Sequence, residues 1–468
     1  MKFCLGIDVA CRAAHQASLA DATGEFLWSG WRFRTTVAEL ETLWSKIPEG
    51  AEVTVVMEPT RNAWVPLTAW LSARGAKVVL VAPERSADLR DYYAKHTKTD
   101  RLDSRMLARL PLLHPEGLEP VDGLGPGDTL KRSVRRRWGL VQRRQACSQR
   151  LDALVELLGP SLADVLGTGD YNETALVILE RYSDPRALRR LGRNRLTDVL
   201  KRVSRGHYRE PKADELLAAA DEAILLWSAG GLDFAELAAD IAAEIRVIRA
   251  LSAEIDKLDE RIERLYHQAD PAGLVVSAPG LGVTLAAAIL GRFGDLDRFS
   301  DLAAVRSFTG LVPKIDQSGN SHGHGGPTKA GDPGLRMMLY LAADHARRSD
   351  PQLAAKYHRL VVEAGKHHDS ALCHLAATLA TRIAACWRRR EPYIVRDTDG
   401  RVITEAEGRA IVAERYRISP EVRQARRRAK KAKQLKGRTS RRNQKSNEAA
   451  SATGSPTTPK PIRPKNVA

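Results

Sequence analysis

Four carboxylates are the first residues in this sequence whose types and spacing could do chemistry. Asp100 and Asp103 stand three residues apart in Lys98-Thr99-Asp100-Arg101-Leu102-Asp103-Ser104-Arg105, where an extended-looking segment gives way to the apolar period Leu102, Met106, Leu107, Leu110. On a helix, side chains at i and i+3 share a face, so both acids can point into one site. Asp8 and Glu58 each follow an apolar run that reads as a buried strand. Four carboxylates brought together repel one another unless cations lie between them. Oxygen-only ligation suits Mg²⁺ or Mn²⁺. Two such ions about 4 Å apart can activate an attacking oxygen and stabilise a leaving one in phosphoryl transfer. The neighbouring Lys98, Arg101 and Arg105 suit a polyanionic substrate. The plainer reading is that strand-end acids cap neighbouring helices and that an i, i+3 acid pair is a solvated face. An actin-like ATPase also opens with an apolar strand and Gly-Ile-Asp, but it needs a Gly/Thr phosphate-binding turn where this chain has Val9-Ala10-Cys11-Arg12.

A second constellation surrounds Ser318, in the polar loop Asp316-Gln-Ser-Gly-Asn-Ser-His-Gly-His-Gly-Gly-Pro327. A serine nucleophile needs activation and cationic help for developing phosphorane charge. Lys314, His322, His324, Lys329 and Arg336 are near in sequence, but no base is evident, so an ordinary loop serine is the competing reading. His322 and His324 without further ligands are weak evidence for a metal site.

Positioning these residues requires several elements. Phe3–Asp8, Gln16–Asp21 and Phe26–Phe33 read as strands, Val37–Ile47 as a helix, and the β-branched run Glu52–Met57 as a strand stopped at Glu58-Pro59. Ala63–Ala73, Lys77–Ala82 and Asp103–Leu110 follow as helix, strand and helix. The order β-β-β-α-β-α-β-α is that of an α/β RNase H-like domain with a mixed sheet. Pro and Gly then crowd residues 114–127, a linker. A basic helix is expected from Asp128 to about Leu158, carrying Lys131, Arg132, Arg135, Arg136, Arg137, Arg143, Arg144 and Arg150, and able to lie along a phosphate backbone. Leu237–Tyr266 repeats apolar residues at roughly heptad spacing, which argues for a coiled coil whose partner is either the first long helix or another protomer. Pro279-Gly280-Leu281-Gly282 before a small-residue helix resembles a helix–hairpin–helix turn, where glycines admit a DNA phosphate or serve close packing. The expected division is an α/β domain at 1–113, a linker at 114–127, a helical and coiled-coil region at 128–269, a mainly α domain at 270–395, and a basic, largely disordered tail at 396–468.

Composition narrows the partners. The 468 residues exceed one core, and a formal net charge of +17 favours nucleic acid. Five scattered cysteines make neither a disulfide framework nor a zinc site. With no 18-residue apolar run and a strand in place of a signal peptide, the expected location is cytoplasmic, at the nucleoid, with no membrane partner.

Gly6-Ile7-Asp8, Met57-Glu58-Pro59-Thr60 and Lys98-Thr99-Asp100-x-x-Asp103-Ser104-Arg105 resemble the N-terminal domain of the DEDD insertion-sequence transposases, the family that includes the Piv DNA invertase. Pro279-Gly280-Leu281-Gly282, Phe308-Thr-Gly-Leu-Val-Pro313, Gln317-Ser318-Gly319 and Thr328-Lys329-Ala330-Gly331-x-x-x-Leu335-Arg336 resemble that family's C-terminal transposase domain. The resemblance covers about residues 1–112 and 270–390. It implies a RuvC-like domain holding Mg²⁺ through Asp8, Glu58, Asp100 and Asp103, and Ser318 as the nucleophile that joins covalently to a DNA phosphate. It also implies a homo-oligomer, dimer or tetramer, whose active sites combine the acidic domain of one protomer with the serine domain of another. In some members a structured RNA encoded by the element guides the reaction. Thr328-Lys329 departs from the family's Ser-Lys but keeps a hydroxyl. The rival enzyme reading is a metal-dependent nuclease or Holliday-junction resolvase in which water attacks. An inactive DNA-binding remnant of a mobile element is the rival from another class.

Overall fold

A computed structural model describes residues 1–83, 86, 99–115, 118, 121, 123, 127–169, 171–318 and 321–429, without the side chains of 314–325. Lys98, most of the expected linker and the tail from residue 430 lie outside the described residues. Two compact units emerge, Met1–Pro271 with Leu290–Asp295, and Ala272–Ile289 with the chain from Leu296 onward.

The first unit opens with β1 (Lys2–Asp8), β2 (His15–Asp21), β3 (Phe26–Phe33), α1 (Val37–Trp44), β4 (Glu52–Met57), α2 (Trp64–Ser72), β5 (Lys77–Leu80) and α3 (Asp100–Leu113). The sheet order is β3-β2-β1-β4-β5, with β2 antiparallel to β1 and β3, and with β1, β4 and β5 parallel. An α/β N-terminal region was expected, and the observed elements follow the expected order. Side chains alternate across each strand. Phe3, Leu5 and Ile7 of β1 and Val53, Val55 and Met57 of β4 join α1 and α2 in one apolar cluster. On the opposite face, Val56, Val79 and Val81 pack with Leu107 and Leu110 of α3. Each such leucine or valine is worth roughly 1.5–3 kcal/mol when fully buried. Of the expected linker, Val121 is tied to the sheet edge, its N–H donating to the Val78 carbonyl at 2.8 Å.

Helices make up the rest of the first unit. The basic helix is α4 (Thr129–Glu156), with Asp128 as its N-cap, followed by α5 (Pro160–Leu166), α6 (Glu173–Tyr182), α7 (Pro185–Val203), α8 (Glu210–Leu226) and the 36-residue α9 (Phe234–Ala269). Sequence left the partner of α9 open, and in the structure it is α4. The two run antiparallel, joined by Arg137 with Asp259, Arg144 with Ser252 and Arg150 with Glu244. Ile241, Ile245 and Ile248 of α9 share a core with Cys147, Leu151 and Val155 of α4.

The second unit carries α10 (Val283–Phe293, whose last turn belongs to the first unit), α11 (Leu302–Thr309), the hairpin β6 (Pro313–Ser318) and β7 (Ser321–Pro327), α12 (Pro333–Ala346), α13 (Pro351–His358), α14 (His368–Arg389) and α15 (Glu405–Arg415). Residues 396–429 are folded, which corrects the expectation of a tail disordered from 396. A capping box at Thr404 starts α15, and Gly408 lies so close to Ser349 that a Cβ would sit 2.0 Å from its carbonyl oxygen. Val395, Ile403 and Ile411 form a small core, and Arg426 donates to the Val361 and Val362 carbonyls at 3.0 and 3.1 Å. Three or four apolar residues among many charges are a weak periodic signal, so sequence underestimated this fold.

Candidate functional site

The acids come from three elements of the first unit. Asp8 ends β1, and Ile7 pairs with Met57 across the parallel β1–β4 ladder. Glu58 therefore follows β4 level with Asp8, about 4.8 Å away between neighbouring strands. Gly6 and Asp8 occupy the α3 face of β1 by alternation. Thr99 caps α3, its hydroxyl accepting the Leu102 N–H at 3.2 Å. Both Asp100 and Asp103 fall in the first turn, where the helix dipole favours negative charge. Asp103 is 9% exposed against the sheet, while Asp100 is exposed.

Gly6 decides how close α3 comes. A Cβ there would lie 2.1 Å from the Ser104 carbonyl oxygen and 2.3 Å from the Ala108 nitrogen, so only glycine admits the helix against β1. The buried Ser18 and Ser104 hydroxyls meet at 2.8 Å and lock α3 to β2 as well. Two residues beyond the acid motifs help hold them, and sequence reading missed both. The Ser86 hydroxyl donates to Glu58 Oε2 at 2.6 Å. His15, 3% exposed, accepts the Ala10 N–H at Nδ1 (3.0 Å) and meets the Thr35 hydroxyl through Nε2 at 2.7 Å. That pattern demands a neutral ring, and burial holds its pKa below the ordinary value, with the Glu39 carboxylate opposing. An inward histidine on an apolar strand is a signal that could have been read; Ser86 gives none.

In kind the donors fit a hard divalent cation, since all four are carboxylates. Among the described residues, however, no three His, Cys, Asp or Glu side chains stand close enough to hold one. Asp8 ends β1 on its α3 face and Asp103 packs against the sheet, and among the described residues these side chains are not closed into a cage. The flanking cations have structural partners: Arg101 Nε donates to the Ser29 hydroxyl at 3.3 Å, and Arg105 stacks on Phe26 at 4.4 Å.

In the second unit, β6 and β7 pair from Pro313 with Pro327 to Ser318 with Ser321, with a register shift between Pro313 and Ile315, and Ser318 ends its strand at the hairpin turn. The side chains of Ser318, His322 and His324 lie outside the described residues. What is described is the hairpin's base. There Gly310 (φ 65°) and Gly331 (φ 83°) let two backbone segments cross. A Cβ on Gly310 would stand 1.9 Å from the Ala330 carbonyl oxygen, and one on Gly331 2.7 Å from that of Phe308. Thr328 donates its N–H to the Val312 carbonyl (2.8 Å) and its hydroxyl to that of Gly310 (3.3 Å). Arg336 donates to the Ala330 and Gly331 carbonyls at 2.9 and 3.1 Å, so it clamps this crossing.

Two further readings are resolved. Gly280 (φ 74°) packs so tightly on α12 that a Cβ would be 2.8 Å from the His345 Cβ, which accounts for it by packing; Gly282 has open space beside it. On α4, Arg137, Arg144 and Arg150 face α9, while Arg132, Arg135, Arg136 and Arg143 are exposed along one stripe at helical spacing. No helix among the described residues is long and apolar enough to cross a membrane.

Two family models match the chain. One, named for the DEDD transposase of IS110 and described as a transposase, covers residues 5–160; the other, described as the transposase IS116/IS110/IS902 family, covers residues 272–358. Among similar proteins is the insertion element IS110 uncharacterized 43.6 kDa protein of Streptomyces coelicolor. It is 30% identical over 380 residues, 80% of this chain and 90% of that protein. The insertion element IS116 44.8 kDa protein of Streptomyces clavuligerus is 29% identical over 80% of this chain and 91% of its own length. For the insertion element IS900 42 kDa protein of Mycobacterium paratuberculosis the identity is 28%, over 72% and 83% respectively. The first match spans the strands and helix that carry the acids, the second spans the glycine crossing and its hairpin, and the chain belongs to the IS110 family of transposases.

Proposed function

We propose that the chain recombines DNA as the transposase of an insertion sequence, with Asp8, Glu58, Asp100 and Asp103 as metal ligands and Ser318 as nucleophile. The observation that carries this reading is the close placement of α3 across Gly6, which supports it by bringing the helix whose first turn holds Asp100 and Asp103 against the strand that ends at Asp8. The strand order, with its antiparallel β2, supports an RNase H-like, RuvC-like domain. Mg²⁺ or Mn²⁺ held by these carboxylates would activate the attacking hydroxyl and neutralise the leaving oxygen. The chain's own residues do the rest. Ser318 Oγ bonds to phosphorus as its proton is lost, and the displaced deoxyribose oxygen leaves and takes up a proton. The phosphodiester is thereby kept as a serine ester, and a hydroxyl of another strand later displaces Ser318 and rejoins the DNA. Arg132, Arg135, Arg136 and Arg143 hold phosphates without reading sequence. A homo-oligomer and a structured guide RNA complete the proposal, and the charge of +17 suits a nucleic-acid partner.

Incubation with DNA carrying the element's ends and Mg²⁺, followed by a denaturing gel, tests it. A protein–DNA adduct is expected from the wild type. None is expected from Ser318→Ala or Asp103→Asn, although both still bind DNA. Cleavage by Ser318→Ala at the wild-type rate would assign the attack to water and end the covalent reading.

A further inference from the structure

The second unit contains a cavity of about 800 Å³ beside the glycine crossing, between the hairpin's base and the start of α14. That volume is within the roughly 300–1,000 Å³ of ligand sites. Leu311, Pro313 and Pro327 give its lining an apolar part, and Lys329, Lys366 and His374 a polar and basic part. Among the described lining residues the one carboxylate is Asp369, which accepts from the Tyr340 hydroxyl at 3.2 Å and lies 3.4 Å from His367 Nδ1. Lys329 holds a left-handed backbone (φ 58°), a conformation that costs a non-glycine residue about 1–3 kcal/mol and persists where surroundings enforce it. Here the enforcement is its N–H donated to the Gly310 carbonyl at 3.1 Å, inside the crossing.

Positive charge extends beyond this lining. One turn along α14 from His374, Thr378 accepts from Lys356 Nζ at 2.6 Å. Desolvation and then Arg382, Arg359 and Arg306 hold the Lys356 ammonium below its ordinary pKa. Desolvation, Lys366 and Lys356 do the same to His374.

We propose that this cavity takes a single unpaired nucleotide of a nucleic-acid strand, its phosphate among Lys329, Lys366 and His374 and its base against Leu311, Pro313 and Pro327. A base has an apolar face and its phosphate a fixed negative charge, which suits a lining that combines apolar and basic side chains. A duplex offers no unstacked base. The inference rests on the chain being a nucleic-acid enzyme and goes beyond the acids and Ser318.

Cys373 lines the same cavity and reports on its occupancy. Its alkylation by iodoacetamide is followed by mass spectrometry on the full chain, with a single-stranded DNA, an RNA of the same length, or a blunt DNA duplex present. With single strand at about ten times its Kd, alkylation slows about tenfold, and duplex leaves it unchanged. Whichever of DNA and RNA protects identifies the strand that supplies the nucleotide. Lys366→Ala and His374→Ala each remove the protection, whereas Lys366→Arg keeps it. Full reactivity of Cys373 with both single strands bound, equal protection by the duplex, or protection persisting in the Lys366→Ala/His374→Ala double variant would overturn the proposal. Ser318→Ala keeps the protection, so a missing DNA adduct and a missing protection report separate failures.

Discussion

The acid-bearing sheet and the serine-bearing hairpin make the same architectural choice and build very different supports on it. In each, glycine lets two backbone segments touch: Gly6 under α3, and Gly310 with Gly331 at the hairpin's base. Beyond that contact the regions diverge. Asp8, Glu58 and Asp103 are held by a five-stranded sheet with apolar clusters on both faces. Ser318 stands at the far end of a two-stranded ladder from the crossing that anchors it, and two strands alone are marginally stable in water. The difference teaches that the acids' positions depend on a core, whereas that of Ser318 depends on a clamp.

That contrast breaks most directly at the glycines. Gly6→Ala must push α3 off β1, and about 3 kcal/mol of stability should be lost. Hydrogen exchange should localise the loss to the sheet and α3 and spare the helices of the second unit. Gly310→Ala adds left-handed strain to a similar clash, and the faster exchange should then appear at residues 302–331. Loss spread evenly over both units in either variant would refute the separation of core from clamp.

A smaller effect is expected from Ser86→Ala. It leaves the sheet intact and removes the hydrogen bond to Glu58, so the Mg²⁺ needed for half-maximal DNA cleavage should rise about tenfold, as for other residues that orient ligands. An unchanged Mg²⁺ requirement would show that Glu58 needs no such support. Smallest is a pH effect at His15. Its folded pKa lies below the ordinary 6.5 because the ring is buried neutral. Its stabilising contribution is therefore complete above pH 6.5 and declines as pH falls toward the lower folded value, since the unfolded chain binds the proton first. Urea unfolding between pH 7.5 and 5 should show that decline in the wild type and less of it in His15→Gln. Equal slopes would assign the acid sensitivity elsewhere.

Much of the first unit was legible because its signals are local. Period-two alternation in β1 and β4 and the helical period of α3 separate buried from exposed positions without knowledge of the rest of the chain. The long basic helix and the apolar seam of α9 were equally readable. Distant contacts were not. Nothing near Glu58 announces Ser86, and Gly280 could serve a phosphate or His345 with the same local pattern. The cationic label that suited Arg101, Arg105 and Arg336 on paper was incomplete, because their partners come from Ser29, Phe26 and the Ala330–Gly331 carbonyls.

By itself the amino-acid order determined which residues alternate, which repeat at helical spacing, and where acids and glycines interrupt those patterns. Those are properties of neighbouring residues and backbone geometry. Tertiary structure alone decided that α9 pairs with α4 in its own chain, that residues 396–429 fold, and that Gly6 and Gly310 carry backbone crossings. Each of these depends on which surfaces meet, and burial and steric exclusion act between atoms that the chain separates by tens of residues.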